Sequence, residues 1–147
     1  MSAGRPGYSR RVFVDTSGYF AVANRRDSHH AAGTAMLNQL VAERRPFFTT
    51  NFILAETHAL LLTKVNREVA ARVLFEIDNS QITTIVRVNA SDEARAREII
   101  RQYQDKNFSL TDATSFVVME RLGIIQAFTF DENFSQYGLT VLPTPNR

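Results

Sequence analysis

Short apolar runs separated by helical patterns limit this chain to one kind of architecture. Arg11-Val12-Phe13-Val14-Asp15, Phe47-Phe48-Thr49-Thr50, Ile82 to Val88, Ile125 to Phe130 and Leu139 to Leu142 are short and rich in β-branched or aromatic residues, as buried strands are. Between them lie stretches with helical spacing. Thr16-Ser17-Gly18 turns the chain into a short helix from Tyr19 to Ala23. Asp27-Ser28 caps a helix from His29 to about Glu43, with Ala32, Met36, Leu37 and Leu40 inward, and Pro46 stops it. Asn51 caps Phe52 to about Lys64, which is so apolar that it should be largely buried. Asn66 begins a helix through Ile77, and Ser91 caps a charged one to about Tyr103. Thr111 caps the last long helix, with Asp112 in its first turn and Gly123 ending it. Strands that alternate with helices over short connectors predict a three-layer α/β domain, with a mainly parallel central sheet flanked by helices. Residues 11–147 form one such domain behind a flexible arm over residues 1–10, which is polar and carries Gly and Pro.

Composition removes several function classes. The chain has 147 residues and no cysteine, so disulfides and thiolate metal sites are excluded. A net charge of +2 is only mildly basic and does not by itself announce nucleic acid. No apolar run is long enough to span a bilayer, and the short Val12-Phe13-Val14 run is not a signal peptide. A cytoplasmic protein is expected.

Carboxylates carry the chemistry. Asp15 ends one apolar strand and Asp131 follows another, where open parallel sheets bind their ligands. Asp112 sits at a helix start, and Glu56 interrupts an apolar helix. A buried carboxylate needs a basic partner or a cation. If these acids converge they repel one another, with raised pKa values, until a cation enters. Oxygen-only sites suit Mg2+ or Mn2+, and such ions support phosphodiester hydrolysis. Each acid also has a plain structural reading: Asp112 as a dipole partner, Asp131 as a cap, Asp15 as a turn residue, Glu56 as the ion-pair partner of Arg72 or Arg121.

Four segments together resemble the motifs of PIN-domain ribonucleases. They are Val12-Phe13-Val14-Asp15-Thr16-Ser17, Thr50-Asn51-Phe52-Ile53-Leu54-Ala55-Glu56, Ser109-Leu110-Thr111-Asp112-Ala113 and Phe128-Thr129-Phe130-Asp131-Glu132-Asn133-Phe134. The resemblance runs from Arg11 to Leu142 and implies a metal-dependent endoribonuclease of PIN-like fold. It makes Asp15, Glu56, Asp112 and Asp131 the acidic pocket. Asp15 and Asp112 are then the direct Mg2+ (or Mn2+) ligands, and Glu56 and Asp131 complete the metal site directly or through water. It leaves Thr16, Ser17, Asn51 and Thr129 to hydrogen-bond the acids or the phosphate. A lone PIN domain of this size is similar to the VapC-type toxins of toxin–antitoxin pairs, which implies an RNA substrate, a small antitoxin protein and a homodimer.

Basic clusters are weaker signals. Arg95, Arg97 and Arg101 interleave with Glu93 and Glu98 as a solvated helix face, whereas Arg25 and Arg26 follow the first motif and are candidates for RNA phosphates. His29, His30 and His58 read as structural or surface residues. Other readings are a receiver or dehalogenase-like phosphoryl-transfer domain and a catalytically silent PIN-fold module that binds RNA or protein. The former lacks a second Asp at Ser17 and a late strand-end Lys.

Overall fold

The computed structural model describes residues 10–145, so most of the expected N-terminal arm lies outside the described residues. The strands are β1 Val12–Val14, β2 Phe47–Thr50, β3 Thr83–Val86, β4 Gln126–Phe128 and β5 Thr140–Leu142. The helices are α1 Thr16–Ala23, α2 His30–Ala42, α3 Asn51–Lys64, α4 Arg67–Asp78, α5 Ala90–Gln102, α6 Leu110–Leu122 and α7 Asn133–Tyr137. All strand pairs are parallel, in the order β3-β2-β1-β4-β5. The chain leaves β1 toward β2 on one side and later returns to place β4 on the other. The switch in strand order therefore lies between β1 and β4, where Val12, Phe13 and Val14 pair with Gln126, Ala127 and Phe128. Loops beyond the carboxyl ends of these two strands form the ligand crevice of such sheets.

The pleat of β1 divides the core. Phe13 faces the layer of α5, α6 and α7, packing with Ile99, Phe116, Val118 and Phe134. Val12 and Val14 face the opposite way, with Leu40, Phe47 and Phe128 and the α2 residues Met36 and Leu37. This is the period-two alternation of a strand buried on both faces. Helix α6 is buried from Asp112 through Met119, so it needs no polar stripe.

Several boundaries differ from the sequence reading, and most move toward the N-terminus. Thr16-Ser17-Gly18 is the first turn of α1, because Asp15 itself is the N-cap. Gly18 is required there by packing: a Cβ would lie 2.7 Å from the Phe128 carbonyl oxygen. Thr50 rather than Asn51 caps α3, and its hydroxyl accepts from the Ile53 N–H. Asn89 caps α5 and Ser109 caps α6, each in a reciprocal box with an Asp three residues on. Ser91 and Thr111 thus fall inside helices. Gly123 ends α6 in the left-handed conformation, as expected. Helix α3 is the largest correction, since only Ile53, Leu54, Thr57 and Leu61 are buried while Glu56 and Leu62 are exposed. Its apolar residues cover more than one face, and the core takes one of them. Among the described residues no helix is long and apolar enough to cross a membrane.

Candidate active site

Asp15 stands where β1 becomes α1, only 4% exposed. Its backbone N–H donates to the Phe128 carbonyl at 3.1 Å, continuing the β1–β4 ladder by one step. That step brings Thr129 alongside it. The Thr129 and Ser17 hydroxyls donate to Asp15 Oδ2 at 2.8 and 2.9 Å, and the Ser17 N–H approaches the same oxygen at 3.4 Å. Each hydroxyl oxygen also accepts a backbone N–H: Thr129 from Asp131 at 3.0 Å and Ser17 from Phe130 at 2.8 Å. A hydroxyl has one proton, and both direct it at Asp15. Ser17 and Thr129 therefore hold the acid in place and fold the loop after β4 around it.

The same loop carries Asp131, whose Oδ1 accepts the Asn133 N–H at 2.9 Å in a local turn. The Asn133 amide then donates to Asp112 Oδ2 at 2.9 Å. Asp112 occupies the third position of α6, 9% exposed, and its Oδ2 also accepts the Ser109 N–H at 3.0 Å. A continuous network thus runs from Ser17 through Asp15, Thr129, Asp131 and Asn133 to Asp112. Within it, Asp15, Asp131 and Asp112 each commit one carboxylate oxygen to these bonds and leave the other uncommitted.

Electrostatics marks this cluster as strained. Burial pushes the Asp15 carboxyl up to about 6, against the Thr129 and Ser17 hydrogen bonds, and the charges of Asp112 and Asp131 push it further the same way. Burial raises Asp131 as well, joined by the charges of Asp112 and Glu132. Desolvation outweighs mutual repulsion at both, so the raised values expected from clustering have burial as their first cause. Among the described residues no group of three or more His, Asp or Glu side chains is placed so as to hold a metal ion between them. An ion that keeps several waters and takes one or two carboxylates does not need such a group, and Mg2+ behaves in that way. The donor set fits such an ion: carboxylate oxygens only, partly uncommitted, in a place where negative charge is penalised.

Glu56 lies apart from this group. It is exposed, and its Oε1 accepts the Thr16 hydroxyl at 2.5 Å. Thr16 follows Asp15 in the chain, but its hydroxyl meets Glu56 and Thr57, and among the described residues no hydrogen bond links Glu56 to Asp15, Asp112 or Asp131. Among the described residues neither Arg72 nor Arg121 pairs with Glu56; Arg121 is bonded to Asp92. Asn51 is turned elsewhere, its Oδ1 accepting the Val88 N–H at 2.8 Å. Arg25 and Arg26 are exposed beyond the far end of the eight-residue α1, about 12 Å along its axis from Asp15. With Lys64 and Arg72 they line a basic hollow of about 450 Å3. Asn133 is the site residue that the sequence reading passed over. Its signal was the Asp-x-Asn spacing, which favours a turn in which the Asn N–H returns to the Asp.

A family model described as the PIN domain matches residues 12–139, from the first strand through α7 and across every acid named above. The chain belongs to the PIN domain family. A curated relative from Mycobacterium tuberculosis strain H37Rv, named 23S rRNA-specific endonuclease VapC20, is 37% identical over 131 residues, covering 86% of this chain and 94% of the relative. A VapC ribonuclease from Archaeoglobus fulgidus is 32% identical over 138 residues, covering 92% of this chain and 83% of the relative. The crystal structure of M. tuberculosis VapC20, described as a Sarcin-Ricin loop cleaving toxin, superposes with a TM-score of 0.79 at 32% identity, over 88% of this chain and 96% of that one. FitAcB from Neisseria gonorrhoeae shares the fold, with a TM-score of 0.64 at 14% identity over 88% of this chain and 95% of that one. In this PIN domain the acid network sits at the strand-order switch that the sheet topology alone marks as the ligand crevice.

Proposed function

We propose that this PIN domain is a divalent-metal-dependent endoribonuclease and the toxin of a toxin–antitoxin pair. One observation carries the reading: Asp15 is buried beside Asp112 and Asp131, and among the described residues no cationic side chain is bonded to any of the three. Structural carboxylates are ordinarily neutralised by a base, and these are held apart from one by hydroxyls and an amide. The names of the VapC relatives, an rRNA-specific endonuclease and a ribonuclease, support RNA as the substrate.

Asp15 and Asp112 are the residues to hold Mg2+ or Mn2+, with Asp131 and Glu56 completing the site directly or through water. When bound, such an ion supplies an activated water and neutralises charge growing on the phosphate oxygens. The chain's own contribution is positional. Ser17 and Thr129 fix Asp15, and Asn133 sets Asp112 and Asp131 at a constant separation. The uncommitted oxygen of Asp131 accepts a hydrogen bond from a water aligned opposite the departing ribose oxygen. In-line attack then leaves a 5′-phosphate and a 3′-hydroxyl. Arg25 and Arg26, with Lys64 and Arg72, form a surface for backbone phosphates away from the cut. A small antitoxin would silence the site by bringing a basic side chain to these acids, and the chain would pair as a homodimer.

The test is cleavage of 23S rRNA and of total RNA by the purified protein. Cutting in Mg2+ or Mn2+ that stops in EDTA, with 5′-phosphate ends, is expected. RNA binding with no cutting in any divalent ion would instead make this a silent binding module.

A further inference from the structure

Beside the acids lies a second pocket, about 380 Å3 in volume, which shares Thr129 and Asp131 with the acid network. Its size falls in the range of about 300–1,000 Å3 usual for small-molecule sites. Its remaining walls include the rings of His29 and Phe130 and the side chains of Val141 and Pro143. The His29 and Phe130 rings stack, with centroids 4.4 Å apart and planes 12° from parallel. The Phe130 ring is firmly seated. It meets Phe128 edge-on at 6.1 Å, and α2 passes so close that a Cβ on Gly33 would stand 3.4 Å from it. Its backbone N–H donates to Ser17 Oγ at 2.8 Å, the same hydroxyl that holds Asp15. An aromatic platform is thereby locked to the acid cluster through one shared side chain.

We propose that this pocket is a nucleobase subsite, which takes the base of one nucleotide next to the phosphate held at the acids. The inference rests on the RNA-cleaving reading and adds the part of the substrate that is recognised beside the cut. Unstacked bases of single-stranded RNA are bound by stacking on aromatic side chains. A platform already ordered loses little conformational freedom when a base arrives. The apolar Val141 and Pro143 suit the face of a base, and no basic side chain is needed there because the backbone phosphates are handled elsewhere.

The test replaces single bases. An oligoribonucleotide cut by the wild-type protein is resynthesised with an abasic nucleotide at each position flanking the cut in turn. At one position, loss of the base should lower kcat/KM roughly tenfold or more, mainly through KM. His29 is exposed, so His29→Ala leaves the core intact. In that variant intact RNA is cut more poorly, and the same abasic replacement has less than about a twofold further effect. His29→Trp, which keeps a stacking face on the exposed side of the pair, retains the wild-type sensitivity. Equal cleavage of every abasic oligonucleotide by the wild type, or equal abasic losses in wild type and His29→Ala, would overturn the subsite. Failure of the nuclease reading looks different, because the wild type would not cut the intact oligonucleotide. In that event a titration with the nucleoside 5′-monophosphates decides, read on the ring protons of His29. Saturable shifts support the subsite and their absence overturns it.

Discussion

Helices α5 and α6 begin in the same way and end in different chemistry. Asn89 and Ser109 are their N-caps, and Asp92 and Asp112 close a reciprocal box at the third helical position. Both aspartates are nearly buried, at 2% and 9% exposure. Asp92 is answered by Arg121, whose guanidinium donates to both of its carboxylate oxygens at 3.0 and 2.8 Å. Those hydrogen bonds hold its carboxyl below the usual range. Asp112 receives a neutral amide from Asn133 and faces the charges of Asp15 and Asp131. The two sites share backbone geometry, residue type and burial, so none of these separates a structural carboxylate from a functional one. What separates them is the sign of the charge across from each.

Substitutions that exchange the two behaviours test this contrast. The largest effect is expected from Asp112→Asn, which should lower RNA cleavage roughly a hundredfold or more while the fold persists; cleavage assays and circular dichroism on the same sample read both. Asp92→Ala should do the reverse. It removes a bidentate charged pair and a cap, and because the Arg121 side chain is 39% exposed the loss is discounted to about 2–3 kcal/mol of stability. Urea unfolding measures that loss, and cleavage per folded molecule should stay near wild type.

Asp15→Asn is expected to stabilise the metal-free protein. The folded carboxyl is raised from 3.8 to about 6, so the native state holds its proton more tightly than the unfolded chain. Wild-type stability should therefore fall as pH rises from about 4 through 6 and remain lower above it. The full penalty corresponds to about 3 kcal/mol. The Asn amide oxygen can take both the Ser17 and Thr129 hydroxyls, as Asp15 Oδ2 does, but as a neutral acceptor it holds them more weakly, so a net gain of about 1–2 kcal/mol is expected at pH 7.5. Urea midpoints at pH 4.5 and 7.5 should differ less in the variant; a variant weaker than wild type at pH 7.5 would count against a penalised Asp15. The smallest effect belongs to Asn133→Ala, which frees Asp112 and Asp131 to move and should weaken Mn2+ affinity roughly tenfold, read by isothermal titration.

Much of this was legible in the order of residues. Asp15 and Asp131 could be placed at strand ends because apolar runs stop there, and parallel sheets gather such ends on one edge. The caps were harder. Asn51 and Thr111 are good capping residues by type, but Thr50 and Ser109 occupy the positions from which a hydroxyl reaches the third N–H. Asp15 fits a turn or a metal site by sequence and is also the N-cap of α1. The exposure of Glu56 was missed because apolar content alone does not say which face of α3 meets the core. The bond between Asn133 and Asp112 spans two helices, and nothing local encodes it. The Arg121–Asp92 pair has the same difficulty, which is why the contrast between the two aspartates emerges only in three dimensions.

On the proposed reading, the Asp112 cluster holds a dication and the Asp92–Arg121 pair does not. Thermal unfolding of wild type, Asp112→Asn and Asp92→Asn at pH 7.5, with and without Mn2+, tests it most directly. At a hundred times the dissociation constant, ligand stabilisation amounts to about 2.7 kcal/mol. Mn2+ should raise the melting temperature of wild type and of Asp92→Asn by the same amount, the latter from a lower baseline, and leave Asp112→Asn unmoved. An equal rise in Asp112→Asn, or no rise in the wild type, would contradict it.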